Sequence, residues 1–388
     1  MNMRQVTRRG VQKKDYEYSL IVDGNNLLKI SLVDSTMNAY GKEYGGVMTF
    51  LRILGSILKK KDFNYCMVCW DGLGSGVLKW HYYKDYKSNR GKNYAIYDPY
   101  ASEQQRRIAL RYQLTLENAK ERHNQSINYV ENDDDKFERE KYIIKNILEE
   151  LCIRQYEFNS VEGDDIIAYY VKNKKEDEKV VIVSSDKDLT QLISDTVIVY
   201  NPRMKDFITK DNSIEKIGIT HENVVLEKIL CGDASDNIKG VKGMGEATLI
   251  KLFPEIKDKK TDLNAIIERS KELLRERKEN KKKPLKTLEN IINGVTDGCQ
   301  GDRLYEVNEK IISLSNPMLT DEAKEELDDV LYAPMDTSDR DIKNVYRIIR
   351  ENTMDELSDE NKFSNTFSPY SRIIMMEKKR YKDFCESA

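Results

Sequence analysis

Short apolar runs that end in aspartate recur along the first half of the chain. Tyr18 to Val22 (YSLIV) runs into Asp-Gly-Asn-Asn, the pattern of a buried strand opening into a turn. Tyr65 to Trp70 repeats it and ends in Asp71-Gly72. Val180 to Val183 (VVIV), followed by Ser-Ser-Asp-Lys-Asp, is a third strand, and Val197 to Tyr200 a fourth. Between them apolar residues fall at helical spacing, over Val47 to Leu58, Arg139 to Leu151 and Asp165 to Lys172. Strands alternating with helices predict an α/β fold, a mostly parallel central sheet with helices on both faces. Ligands of such folds bind beyond the carboxyl ends of the strands. Asp23, Asp71 and Asp186 all fall at or just past such an end. One aspartate there is a common turn residue. Three at the same edge make a candidate site.

The stretch from Lys84 to Asn132 lacks clear strands, is rich in tyrosine and arginine, and closes on ENDDD. It reads as a helical excursion from the sheet. Beyond Ile229 no strand is expected and the remainder reads as helical. Ser368-Pro369 and the basic ending MMEKKRYKDF suggest a loosely attached tail.

Composition narrows the class. With 388 residues, 39% hydrophobic and 34% charged, the chain has apolar residues enough to bury a large core, which argues against disorder, and no apolar stretch long enough to span a membrane. The opening MNMRQVTRRGVQKK is basic but has no apolar segment, so a cytoplasmic protein is expected. Cys66 and Cys69 are spaced CxxC but lie on a strand, where residues three apart face opposite ways. Buried free thiols fit them better than zinc or redox chemistry. A net charge of −3 speaks weakly against nucleic-acid binding, but it averages over strong local charge. Lys79, Lys84, Lys87, Arg90 and Lys92 cluster against the single acid Asp85, and a second basic run, Lys271 to Lys286, contains KENKKKPLK.

The acids fall into five short pieces: Asp23, Asp71, Glu162-Gly-Asp164-Asp165, Asp186-Lys-Asp188 and Asp233-Ala-Ser-Asp236. Glu162 and Asp164 precede or open a helix, where carboxylates cap free N–H groups. Asp186 and Asp188, two apart, can point to one side, and Asp233 and Asp236, three apart, are expected to share a helix face. So many anions at one sheet edge raise each other's pKa unless cations neutralise them. Hard divalent ions with oxygen ligands fit, and His81, His123 and His221 are too scattered for a zinc site. The chemistry this leaves is metal-assisted hydrolysis of a phosphodiester. The plain alternative is that each piece is a helix cap or a turn.

In order and spacing these pieces resemble the 5′ nuclease family: flap endonucleases, the N-terminal nuclease of bacterial DNA polymerase I, and phage 5′ exonucleases. IVDGNNLL (21–28) and CWDG (69–72) are similar to the family's first two metal-ligand strands. VEGDDIIA (161–168) resembles its E-A-D-D helix start, with glycine for alanine, and VIVSSDKDLTQLI (181–193) its S-x-D-x-D segment. CGDASDNIKGVKGMGEAT (231–248) resembles G-D-x-x-D-N-I-x-G-V-x-G-I-G-x-x-T, so the similarity spans about residues 18–255. YYKDYKSNRGK and the overall length are most similar to phage members such as the T-even phage ribonuclease H.

The resemblance implies a PIN-like 5′ nuclease core, a helical arch, a helix–hairpin–helix element and a helical C-terminal region. It divides the chain into a basic tail (1–17), a catalytic core (18–230, arch at about 80–135) and a hairpin-bearing region (231–388). Asp23, Asp71, Glu162 and Asp164 would hold one Mg2+, with Asp165 in or behind that shell. Asp186, Asp188 and Asp233 would serve a second, with Asp236 acting directly or through water, and Mn2+ would substitute for either ion. Lys79, Lys87 and Arg90 match the basic positions at the foot of the arch, near the scissile phosphate, and would be catalytic by stabilising its developing charge. Tyr86, with Tyr82 and Tyr83, is expected either to stack unpaired bases or to pack in the core. Lys242, Gly243 and Gly245 would form the hairpin loop that holds duplex and, in the family, K+. The implied function is hydrolysis near 5′ ends or flaps of DNA or RNA–DNA duplexes, in primer removal or repair. Expected partners are branched or 5′-ended duplex DNA, RNA–DNA hybrid and replication proteins such as single-strand binding protein, with no membrane. The competing readings are a PIN-like ribonuclease of structured RNA and an inactive branch-binding protein.

Overall fold

The computed structural model describes residues 18–38, 40–90 and 133–387, with isolated positions 102, 104 and 107. The basic tail 1–17 and most of the expected arch lie outside the described residues. Six strands form one sheet: β1 (Tyr18–Asp23), β2 (Phe63–Asp71), β3 (Arg154–Phe158), β4 (Lys179–Val183), β5 (Val197–Asn201) and β6 (Asp206–Ile208). Their order is β3-β2-β1-β4-β5-β6, all parallel except β6. The order reverses between β1 and β4, which is where such a sheet opens a crevice at its carboxyl edge.

The alternation of β1 and β2 explains both faces. Leu20, Val22, Cys66, Val68 and Trp70 enter one core with Phe50 and Leu54, while Ile21, Tyr65, Met67 and Cys69 enter the other with Ile166 and Tyr170. Cys66 and Cys69 are buried free thiols on opposite faces, as their strand spacing requires. The predicted helices form over Gly45–Leu58, Asp133–Glu150 and Gly163–Asn173. Among the described residues, no helix is long and apolar enough to cross a membrane.

Two expectations fail beyond Ile229. A two-stranded ribbon, β7 (Gly232–Asp233) and β8 (Ile238–Lys239), stands where only helix was expected. Gly232, at φ +79°, ends the helix Val224–Cys231, so Asp233 closes a hairpin strand and Asp236 lies in the turn after it, neither on a helix face.

Nor is the C-terminus a loose tail. Phe367, Tyr370 and Ile373 are buried in the first core, and the helix Ser371–Ser387 packs on β2. Its Glu377, fully buried, holds Arg154 at 2.8 Å and Arg380 at 2.6 Å. Glu377→Gln leaves two guanidinium groups without their anion, one of them buried. The expected loss, read by chemical denaturation of the full chain, is about 3–5 kcal/mol. An unchanged denaturation midpoint would show that this ion pair adds nothing to stability.

Candidate active site

The carboxyl edge of the sheet collects the predicted acids from five segments. Asp23 closes β1 and Asp71 closes β2, its neighbour, while Ser184 to Asp188 follow β4 on the other side of β1. The helix Gly163–Asn173 starts at the same edge, because the Gly163 N–H donates to Asp71 Oδ1 at 2.8 Å. That hydrogen bond brings in Glu162, Asp164 and Asp165. The β7–β8 hairpin supplies Asp233 and Asp236. Tyr86 ties the turn to Glu162, its hydroxyl lying 3.0 Å from Glu162 Oε2 and 3.2 Å from Asp236 Oδ2.

These nine acids divide by partner. Five have a cation. Lys79 Nζ lies 2.7 Å from Glu162 and 3.1 Å from Asp165. Lys87 pairs with Glu162 and stands 3.6 Å from Asp236, which Arg90 also holds at 2.6 Å. Lys228 pairs with Asp188 and, at 2.6 Å, with Asp233. The other four, Asp23, Asp71, Asp164 and Asp186, have no lysine or arginine within ion-pair distance among the described residues. Neutral donors alone position three of them. Asp23 accepts from Asn26 N–H at 3.0 Å and Ser184 Oγ at 2.9 Å, Asp71 from Asn25 Nδ2 at 2.9 Å, and Asp186 from Asp188 N–H at 2.9 Å.

The electrostatics follow this division only in part, since burial also raises the Asp165 and Asp188 carboxyls although Lys79 and Lys228 pull them the other way. Burial, joined by the neighbouring Asp71 and Asp186, pushes the Asp23 carboxyl up to about 7. Burial, with Asp23 and Asp186, raises Asp164 well above the carboxylate range. Burial acts on Glu162 too, but Lys79 and Lys87 outweigh it and hold its carboxyl low. Burial likewise opposes ionisation of Asp233, yet Lys228 draws its carboxyl down to about 2. Four mutually repelling carboxylates with no ion-pair partner among the described residues are an oxygen-rich donor set for a hard cation. Among the described residues no three acidic, histidine or cysteine side chains already converge as a cage. Unscreened, the four acids repel one another, and the remaining five are drawn to ammonium or guanidinium groups.

Several residues differ from expectation or were missed. The Tyr86 ring is buried, so it packs under the edge and is not open to stack a base; only Tyr82 of the three tyrosines is exposed. Glu162 precedes its helix but makes no side-chain cap; its carboxylate turns to the lysines. Lys79 is buried beneath Glu162 and Asp165 and paired with both. In the hairpin loop Gly243 has φ +79°, the left-handed region that favours glycine. Gly245 does not share that need: it is extended at φ −148° and an added Cβ meets nothing within 4 Å. Lys242 pairs with Asp297 at 2.6 Å on the surface. The missed residues are Asn25, Asn26, Ser184 and Lys228. The first three are legible as polar neighbours of strand-end aspartates. Lys228 looks like any lysine of an amphipathic helix until the fold sets it against Asp188.

Known proteins are similar to this chain in sequence and in fold. Residues 18–218, just over half of the chain, match the model of the 5′-3′ exonuclease N-terminal resolvase-like domain. DNA polymerase I of Bacillus subtilis is 30% identical over 267 residues, which are 67% of this chain. The chain spans 26% of that polymerase's length. A 5′-3′ exonuclease of Aquifex aeolicus is 29% identical over 236 residues, 60% of this chain and 68% of that protein. Among solved structures, the 5′-exonuclease of bacteriophage T5 with divalent metal ions (zinc) bound superposes with a TM-score of 0.53 at 19% identity, covering 88% of this chain and 99% of that one. The catalytic core of Rad2 in complex with DNA substrate gives 0.51 at 13% identity, covering 92% of this chain and 93% of that one. At such identities the structures speak for the fold, and the family match speaks for descent. The chain with four unpaired aspartates at its sheet edge belongs to the 5′-3′ exonuclease family, through its N-terminal resolvase-like domain.

Proposed function

We propose that this chain is a divalent-metal-dependent 5′ nuclease that hydrolyses phosphodiester bonds near 5′ ends or flaps of DNA or RNA–DNA duplexes. The observation that carries the reading is the set Asp23, Asp71, Asp164 and Asp186: buried or half-buried, crowded, and without a cationic partner among the described residues. Asp23, Asp71 and Asp164, with Glu162 and Asp165 behind them, would hold one Mg2+. Asp186 with Asp188 and Asp233 would hold a second, Asp236 helping directly or through water. Bound there, such ions lower the pKa of a water and screen the charge of a phosphodiester. The T5 enzyme's structures with metal ions, and with DNA and metal ions, make the same chemistry reasonable here.

The chain's own residues do the rest. Lys79 holds Glu162 and Asp165 in place and works as a positioning residue. Lys87 and Arg90 stand at the open side of the edge, where a cation stabilises charge developing on a reacting phosphate. Asn25, Asn26 and Ser184 fix the aspartates in one orientation before substrate arrives. The loop around Lys242, Gly243 and Gly245 is the candidate grip on duplex, through the Gly243 and Gly245 N–H groups, since those of Lys242 and Met244 are already donated to Val295 O and Val241 O. K+ bound by carbonyls of that loop is part of the same proposal.

Gly243 offers a test of that grip. A side chain at φ +79° costs about 1–2 kcal/mol of local strain and shifts the loop. Gly243→Val should therefore weaken duplex binding and reduce the log–log salt slope by about one unit for each phosphate the loop no longer reaches. Gly245→Ala should fold as well as the parent. Equal affinity and equal salt slope for Gly243→Val and the parent would remove the loop from the DNA interface. The function as a whole is tested by comparing a 5′-flap DNA, a nicked duplex, an RNA–DNA hybrid and a single-stranded RNA in magnesium. Cleavage confined to the single-stranded RNA favours a PIN-like ribonuclease, and tight flap binding without products favours an inactive branch-binding protein.

A further inference from the structure

Lys87 sits in a conformation that its own sequence does not favour. Its φ is +50°, a left-handed value that a lysine adopts only when its surroundings impose it. The surroundings are one side chain and one turn. Asn237 Nδ2 donates to Asp85 O at 3.0 Å and to Ser88 Oγ at 2.8 Å, bracketing Lys87 from both sides. Tyr83 Oη donates to Asn237 O at 3.2 Å, and the Lys87 N–H donates to Asp236 O at 2.8 Å. Arg90 reaches the same turn, 2.6 Å from Asp236 Oδ1. Asn237 is itself left-handed at φ +55°, a conformation asparagine tolerates better than most residues. It is followed directly by β8 (Ile238–Lys239) and then by the hairpin loop.

From this geometry we infer that Asn237 is a positioning residue that latches the Lys87–Arg90 loop to the turn leading into the hairpin. The inference deepens the nuclease reading above and rests on it for its consequence. An amide is suited to the task because its two N–H donors reach two acceptors at once, and because it adds no charge beside Asp236 and Asp85. The latch makes the segment that grips duplex continuous with the one that sets the catalytic lysine. Asn237→Gly separates its parts: glycine keeps the left-handed backbone and removes both side-chain bonds.

The test has two arms on the full chain. In hydrogen–deuterium exchange without nucleic acid, Asn237→Gly should speed exchange of the peptide covering residues 83–90 by about tenfold or more, because local opening becomes easier. In single-turnover cleavage of a 5′-flap DNA, the same change should lower the rate by about tenfold or more with affinity nearly unchanged. Added to Lys87→Ala, it should then cost little further. Ser88→Ala, which removes one of the two acceptors, should give a milder version of both effects and serves if Asn237→Gly does not fold. Unchanged exchange overturns the latch whether or not the protein cleaves DNA. Faster exchange with a full cleavage rate, or a double variant whose loss is the product of the single losses, overturns its role in positioning Lys87. A parent chain that cleaves nothing defeats the nuclease reading and leaves the exchange result to decide the latch.

Discussion

Asp186→Asn and Asp164→Asn should each abolish turnover, by at least about a hundred-fold, or roughly 3 kcal/mol of transition-state stabilisation. Both residues belong to the group of four that has no cationic partner among the described residues, so neither change strands a lysine. In Asp186→Asn the side-chain oxygen can still accept the Asp188 N–H. Removing one charge also relieves repulsion: burial and the neighbouring Asp23 and Asp186 disfavour the ionised form of Asp164. The variants should therefore melt, in chelator, at or above the temperature of the parent while binding branched DNA about as well. Loss of activity through misfolding would appear as a lower melting temperature. Near-parental turnover in either variant would remove the metal assignment.

Lys87→Ala should lower the single-turnover rate by about a hundred-fold and change affinity far less, because a charge aimed at the reacting phosphate counts most in the transition state. The site itself should survive the change. Glu162 keeps Lys79 at 2.7 Å and Asp236 keeps Arg90 at 2.6 Å, so no buried anion loses its only partner. Alanine also removes a long side chain from a strained position. If rate and affinity fell by the same factor, Lys87 would be an ordinary phosphate-binding residue.

The carboxylate edge was legible because its signals are local. An apolar run followed by aspartate reports a strand and its carboxyl end together, and β1, β2 and β4 each carry that signal. β3 (RQYEF) hid because Arg154 and Glu157 break its apolar pattern; those charges find ion-pair partners in Glu377 and Lys141. The three-residue β6 is too short to show a period. Distance in sequence hid the rest. The apolar stripe Phe367, Tyr370, Ile373 is sparse among charges, and its anchoring pair joins residues 223 apart. For the same reason the partition of the nine acids was invisible: each lysine's choice of carboxylate depends on the fold. Gly232 misled in the opposite sense, since a spacing of three between Asp233 and Asp236 suits a helix that this glycine has already ended.

The central claim is that this carboxylate edge performs metal-dependent hydrolysis at a 5′ end. It is tested most directly by incubating an end-labelled 5′-flap duplex with the parent chain, with magnesium and with chelator, and mapping the products. No cleavage is expected in chelator, and in magnesium cuts are expected at or near the flap junction that leave a 5′-phosphate and a 3′-hydroxyl. Equal cleavage in chelator, or an intact flap in magnesium at saturating protein, would contradict it.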